Sequence, residues 1–172
     1  MAGALIQVAT NTVSSAVASV TLTGISTNDS YMLAFNNVTM NTSGSGLYFR
    51  TTTSGSADGD SEYDTAMTFL RSVNAFDNTS SVNGDKWGLG PQRVASGVSA
   101  NTILNLFNFN NSSEYSFVVV DNCHFWSGSN EFAGYVGAAT HSVAESNDGI
   151  HFVSDSGRTF TAGTFTLFKI QS

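Results

Sequence analysis

Cysteine is all but missing from this chain. Cys123 stands alone, so no intrachain disulfide can form, and a structural thiolate zinc site would need a second chain. Proline is equally scarce, with Pro91 the single example. Charge is thin: Asp, Glu, Lys and Arg make up 11% of the residues, against about 25% in an ordinary soluble domain. Positive charge is thinnest of all, six Lys and Arg against thirteen Asp and Glu, for a net charge of -7. The six cations lie singly along the chain. Binding DNA or RNA draws on clustered cations that displace counterions, so no nucleic-acid partner is expected, and anionic membrane surfaces are disfavoured on the same ground. No apolar run reaches the roughly 18 residues of a membrane helix, so membrane insertion is not expected. The start, Met1-Ala2-Gly3-Ala4-Leu5-Ile6, lacks the basic segment of a secretory signal; synthesis in a cytoplasm and a soluble working state are expected.

What is present is apolar and aromatic. Hydrophobic residues make up 41% of the 172 and include 13 Phe, enough for a real core and against disorder. The length suits one domain, 1–172, able to bury roughly 70% of its unfolded surface. Ser, Thr, Asn and Gly must cover the outside. The apolar residues come in short alternating segments bounded by Gly, Ser, Asn and Asp. In "SVTLTGI" Val20 and Leu22 oppose Thr21 and Thr23; in "YMLAFN" Tyr31, Leu33 and Phe35 oppose Met32 and Ala34; in "LYFRTTT" Leu47 and Phe49 oppose Tyr48 and Arg50. Further strands are expected in "TAMTFLRSV", "NTILNLFNF", "YSFVVVD", "EFAGYVGAATH" and "GIHFVSD", and in the closing "RTFTAGTFTLFKIQS". About nine strands with no capped helical stripe predict an all-β fold, an antiparallel jelly-roll-like β-sandwich. Residues 74–100 are the least periodic. They read as a long irregular connection with a short strand around Trp87 to Leu89, and a loop of that length is usually functional or packed on a neighbour. The closing strand carries Phe160, Phe165, Leu167, Phe168 and Ile170. So apolar a strand belongs in the interior of a sheet with both faces covered, since an exposed edge would aggregate; it is expected near the "SVTLTGI" strand.

Candidate chemistry is sparse. The densest acidic stretch, "ADGDSEYD", places Asp58, Asp60, Glu62 and Asp64 at alternate positions around a glycine, the hard-oxygen pattern of a calcium loop. The spacing is not that of an EF-hand, and a solvated acidic loop between two strands is the plainer reading, so no metal is expected. Cys123 and His124 are neighbours, but adjacent residues of a strand point to opposite faces, which disfavours a nucleophile–base pair; a small buried cysteine at a strand end is the plainer reading. His141 and His151 are isolated in sequence. No G-x-S-x-G, Walker A, H-E-x-x-H or helical G-x-G-x-x-G motif occurs, so no catalytic residue and no cofactor is expected. Trp87 in "GDKWGLG" and Trp126 in "HFWSGSN" sit among glycines. They are the candidates for partner or glycan contact, beside the alternative that each plugs an end of the sandwich.

Two stretches at opposite ends resemble a known group. "SSAVASVTLTGISTNDSYMLAFNNV" followed by "GLYFRTTTSGSADGDSEYD" resembles the start of small β-rich virion proteins of tailed bacteriophages. "GIHFVSDSGRTFTAGTFTLFKI" is similar to their G-T-x-x-L-Y-G-I-like ending, with Ile150, Phe152, Gly157, Gly163, Thr164, Leu167 and Ile170 in the matching positions and Phe168-Lys169-Ile170 where Tyr-Gly-Ile is usual. The resemblance covers less than half of the chain. It implies a structural part of the particle without enzymatic activity: a capsid decoration or cement protein first, a tail-fibre or tail-tip receptor-binding protein as the alternative. The implied location is the virion, assembled in the host cytoplasm. The implied partners are other virion proteins (the major capsid protein or tail components), copies of the same chain and, in the second case, host-surface glycan.

Overall fold

The computed structural model describes residues 4–44, 46–73, 75–88, 98–126, 131–154 and 157–171. The alternating segments form β2 (Ser19–Thr23), β3 (Tyr31–Met40), β4 (Leu47–Thr53), β6 (Tyr63–Arg71), β9 (Ala100–Phe107), β10 (Tyr115–Trp126), β11 (Glu131–Ala144), β12 (Gly149–Ser154) and β13 (Phe160–Gln171). Four more strands join them: β1 (Ala4–Val13), β5 (Ser56–Ala57), β7 (Ala75–Gly84) and β8 (Trp87–Gly88). There is no helix among the described residues.

The strands form two antiparallel sheets. The large one runs β1-β13-β3-β9-β10-β11-β6-β7, and the small one runs β2-β12-β4-β5, with β8 also on β4. Successive strands from β1 to β4 alternate between the sheets. The quartet β1-β13-β3-β9 therefore faces β2-β12-β4 and the short β5 and β8, which is the strand order of a jelly roll. Two hairpins, β6–β7 and β10–β11, widen the large sheet beyond β9. The expected all-β antiparallel sandwich is what the chain forms.

The core lies between the sheets. Leu33, Phe35, Leu104, Leu106, Val118, Val120, Phe165 and Leu167 of the large sheet meet Val20, Leu22, Phe49, Ile150 and Phe152 of the small one, all buried. Aromatic rings bridge the layers: Phe152 lies 5.7 Å edge-on from Phe35 and 5.0 Å from Phe165, and Trp87 lies 5.0 Å edge-on from Tyr63. Ring pairs at such separations add to the area they bury.

Three sequence expectations need correction. The closing strand is interior, but β13 pairs with β1 and β3, while the "SVTLT" strand β2 pairs with β12 in the other sheet. Its two faces are unequal: Phe165 and Leu167 are fully buried, Phe168 and Ile170 only half-buried. Within the long stretch expected to be irregular, Ala75–Gly84 is the edge strand β7, held by the β6 ladder from Arg71↔Ala75 to Tyr63↔Gly84. Trp87–Gly88 is the short strand expected there; residues 74 and 89–97 lie outside the described residues.

Candidate functional site

At one end of the sandwich the chain leaves the β4–β5 hairpin and crosses to the large sheet through "DGDSE" before β6. This crossing is fixed by backbone bonds. The Asp58 N–H donates to the Thr51 carbonyl at 3.1 Å, the Asp60 N–H to the Asp58 carboxylate at 2.9 Å, and the Ser142 N–H to the Glu62 carbonyl at 2.8 Å. The Tyr63 hydroxyl, buried beneath, donates to the Asp58 carbonyl at 3.1 Å and lies 3.0 Å from Thr51 Oγ1. Burial raises the Tyr63 pKa further above its ordinary range, so it stays a neutral donor.

The register of β11 on β6 sets His141 opposite Tyr63, their rings 4.8 Å apart. The His141 side chain is fully buried, and three carboxylates converge on it. Its Nε2 lies 2.9 Å from Asp58 Oδ2 and 3.2 Å from Glu62 Oε2, and its Nδ1 lies 3.8 Å from Glu145 Oε1. Nδ1 has no hydrogen-bond partner. Thr53 Oγ1 donates to the Glu145 carboxylate at 3.3 Å. A shallow depression of about 350 Å³ opens above, lined by Thr53, Ser56, Asp58, Asp60, Glu62 and Glu145. Asp58, His141 and Glu145 could together hold a metal ion, since one ligand atom from each lies within 4.8 Å of the others.

The acidic quartet read from the sequence is thus split. Asp58 and Glu62 turn to His141, and Asp60 lines the rim. Asp64, within β6, accepts the Asn83 N–H at 2.7 Å instead. Asp148 is also spoken for: it accepts from Thr52 Oγ1 at 2.6 Å and the Gly55 N–H at 2.9 Å, bracing the β4–β5 turn. His141 and Glu145 escaped the sequence reading because they lie 83 and 87 residues beyond Asp58, and only strand register brings them together.

The two tryptophans differ in exposure. Trp87 is fully buried and donates from Nε1 to the Thr140 carbonyl at 2.8 Å. It wedges between Phe49 and Tyr63, as the plug alternative has it. Trp126 is half-buried, with the Arg71 guanidinium 4.6 Å from its ring centre and Phe69 edge-on at 5.4 Å. Cys123 is exposed, contrary to the buried cysteine expected, and His124 is buried on the opposite face, so the two diverge as strand geometry dictates. His151 Nδ1 sits 2.7 Å from Thr21 Oγ1 on the small sheet, away from both other histidines' partners; its pKa is lowered by burial first and by Arg50 second.

The feature the sequence reading missed is the outer face of the large sheet. Along β10 every second residue points outward, and Phe117 and Val119 are each nearly half-exposed. Register places Phe107 beside Phe117, Ala138 beside Val119, and Ile103 and Val136 on either side of Asp121. Further along the face a shallow hollow of about 420 Å³ is lined chiefly by apolar atoms of Ala66, Val82, Phe117 and Ala138.

No family model, curated protein or solved structure matches the chain. The arrangement itself offers two chemistries, an anionic depression built around one imidazole and an apolar sheet face that none of the described residues covers.

Proposed function

We propose that this protein is a non-enzymatic structural component of a tailed-bacteriophage particle, and that it acts as a capsid decoration or cement protein. The observation that carries this reading is the apolar outer face of the large sheet. Isolated apolar residues on a surface are ordinary, but a contiguous cross-strand patch marks an interaction site. Phe107, Phe117, Val119, Ile103 and Val136 form such a patch over three paired strands, with Asp121 the charged residue between Ile103 and Val136. A protein that spends its working life against neighbouring subunits can keep such a face covered. Copies of the same chain or the major capsid protein are the partners this reading requires. The resemblance of the two chain ends to small virion proteins supports the same class.

A receptor-binding role at the tail would have to rest on Trp126, because Trp87 is buried. Quantitative mass spectrometry of purified particles from a culture carrying this gene tests the proposal. A copy number comparable to that of the capsid subunit is the expected result. A handful of copies moves the protein to the tail, and its absence from particles overturns the virion reading altogether.

A further inference from the structure

We propose that Asp58, Glu62, His141 and Glu145 form a binding site for a divalent cation of the zinc class, one that clasps the two sheets together at this end of the sandwich. A neutral histidine has one N–H and one bare lone pair. Here both nitrogens face carboxylate oxygen, Nε2 toward Asp58 and Glu62 and Nδ1 toward Glu145. Whichever nitrogen carries the proton, the lone pair of the other points at negative charge in a fully buried side chain. Among the described residues the His141 imidazole has no hydrogen-bond partner outside the cluster, and its buried Nδ1 has none at all. A cation placed between imidazole nitrogen and carboxylate removes that conflict.

Charge points the same way. The ion pairs of Asp58, Glu62 and Glu145 among the described residues are all with His141, so a single imidazolium would leave two of three partly buried carboxylates uncompensated. The separations of 2.9 and 3.2 Å between Nε2 and its two carboxylates are also those between neighbouring ligands around an ion bound at about 2.0–2.1 Å.

The donor set decides the class of ion. Calcium and magnesium are held by oxygen alone, which is what the acidic stretch by itself suggested. An imidazole nitrogen with carboxylates suits zinc and its first-row neighbours. The ligands come from the crossing after β5 and from β11 with the segment that follows it, so the ion would tie the small sheet's hairpin to the large sheet. The inference is independent of any virion role.

The test uses the full-length, untagged chain, stripped with chelator and titrated calorimetrically with zinc chloride, with calcium chloride in parallel. Thermal melting is recorded with and without each ion. The expected result is one zinc per chain and a melting temperature raised by zinc but not by calcium. His141→Asn empties a buried position and can fail to fold, so Asp58→Asn and Glu145→Gln, both at partly exposed positions, are the working variants. Each should weaken zinc binding by at least the roughly 10- to 100-fold that loss of even an outer-shell partner costs, while still melting cooperatively without metal. No zinc heat with the wild-type chain, equal affinity in the two variants, or an equal response to calcium would each overturn the proposal.

Discussion

Two buried side chains show how single residues carry this fold. His124 points inward from β10, 3% exposed, with its ring parallel to Tyr135 at 5.8 Å. Asn122 donates its amide to Thr102 Oγ1 and to the Asn101 carbonyl. Its carbonyl oxygen is thereby free to accept from His124 Nδ1 at 2.9 Å, and Nε2 is left bare and buried. Burial pushes the His124 pKa down from 6.5 to about 4. In the unfolded chain His124 takes up a proton near its ordinary pKa, whereas in the fold it resists until about pH 4. Between those values the unfolded state binds more protons, so stability rises with pH across the window and is lost as pH falls through it. The loss attributable to His124 is up to about 3 kcal/mol. Chemical denaturation of the wild type and of His124→Gln between pH 4 and 7 checks this: the variant's stability should depend less steeply on pH, and parallel curves would refute it. Trp87 is the second case. Trp87→Phe keeps a ring against Phe49 and Tyr63 but strips the Thr140 carbonyl of its donor, at a cost of about 1–3 kcal/mol. Trp87→Ala removes the wedge as well and should cost about 3–5 kcal/mol. Urea unfolding of both should rank them in that order.

At the scale of the element, legibility followed burial. β10 alternates without a break from Tyr115 to His124, exposed then buried, and its sequence announces the strand. β7, "AFDNTSSVNG", does not: it is an edge strand whose Phe76 and Val82 are both more than two-thirds exposed, and pairing with β6 rather than a buried face makes it a strand. β1 is similar, with Ala4 to Gln7 all exposed and its order drawn from the β13 ladder. The cation site was half legible. Asp58 and Glu62 stand out in sequence, but His141 joins them through the β11–β6 register, which spacing along the chain does not encode. The closing strand was placed in the interior because of its apolar content, and its environment bears that out. Deleting Thr164 to Ser172 would remove Phe165 and Leu167 from the core and strip the ladders of both β1 and β3. Burying unpaired backbone groups is strongly unfavourable, and each lost Phe costs about 3–5 kcal/mol out of a typical total of 5–15. The truncated chain should therefore be insoluble or lack a cooperative melt. A soluble product with the wild-type melting temperature would show that β13 is dispensable. A gentler probe is Gly163→Val at the bulge in the same strand: Gly163 has φ +128°, and a Cβ there would come within 2.8 Å of the Val38 Cα, so this substitution should lower the melting temperature while leaving β13 in place.

For the molecule as a whole, the division of labour between the faces of the large sheet is what connects fold to assembly. The inner face of β1, β13, β3 and β9 is covered by the small sheet. The outer face around β9, β10 and β11 presents Phe107, Phe117, Val119 and Val136 to solvent, and the hollow beside Phe117 extends that apolar area toward β6 and β7. Such a surface contributes little to the stability of the isolated chain beyond its cross-strand pairs. Replacing Phe117 and Val119 together by Lys should therefore change unfolding free energy by no more than about 1–2 kcal/mol, the scale of strand propensity at two exposed positions. Its effect on association should be much larger, because two ammonium groups would have to be desolvated in the centre of any interface formed there. Sedimentation velocity over a wide concentration range gives the first reading: the wild type should associate with itself, and the double variant should remain monomeric. Particles assembled with the variant in place of the wild-type chain give the second, and the variant should be depleted from them. If both chains sediment alike and enter particles in equal number, the outer face is not the contact surface, and the assembly reading would have to rest on another part of the molecule.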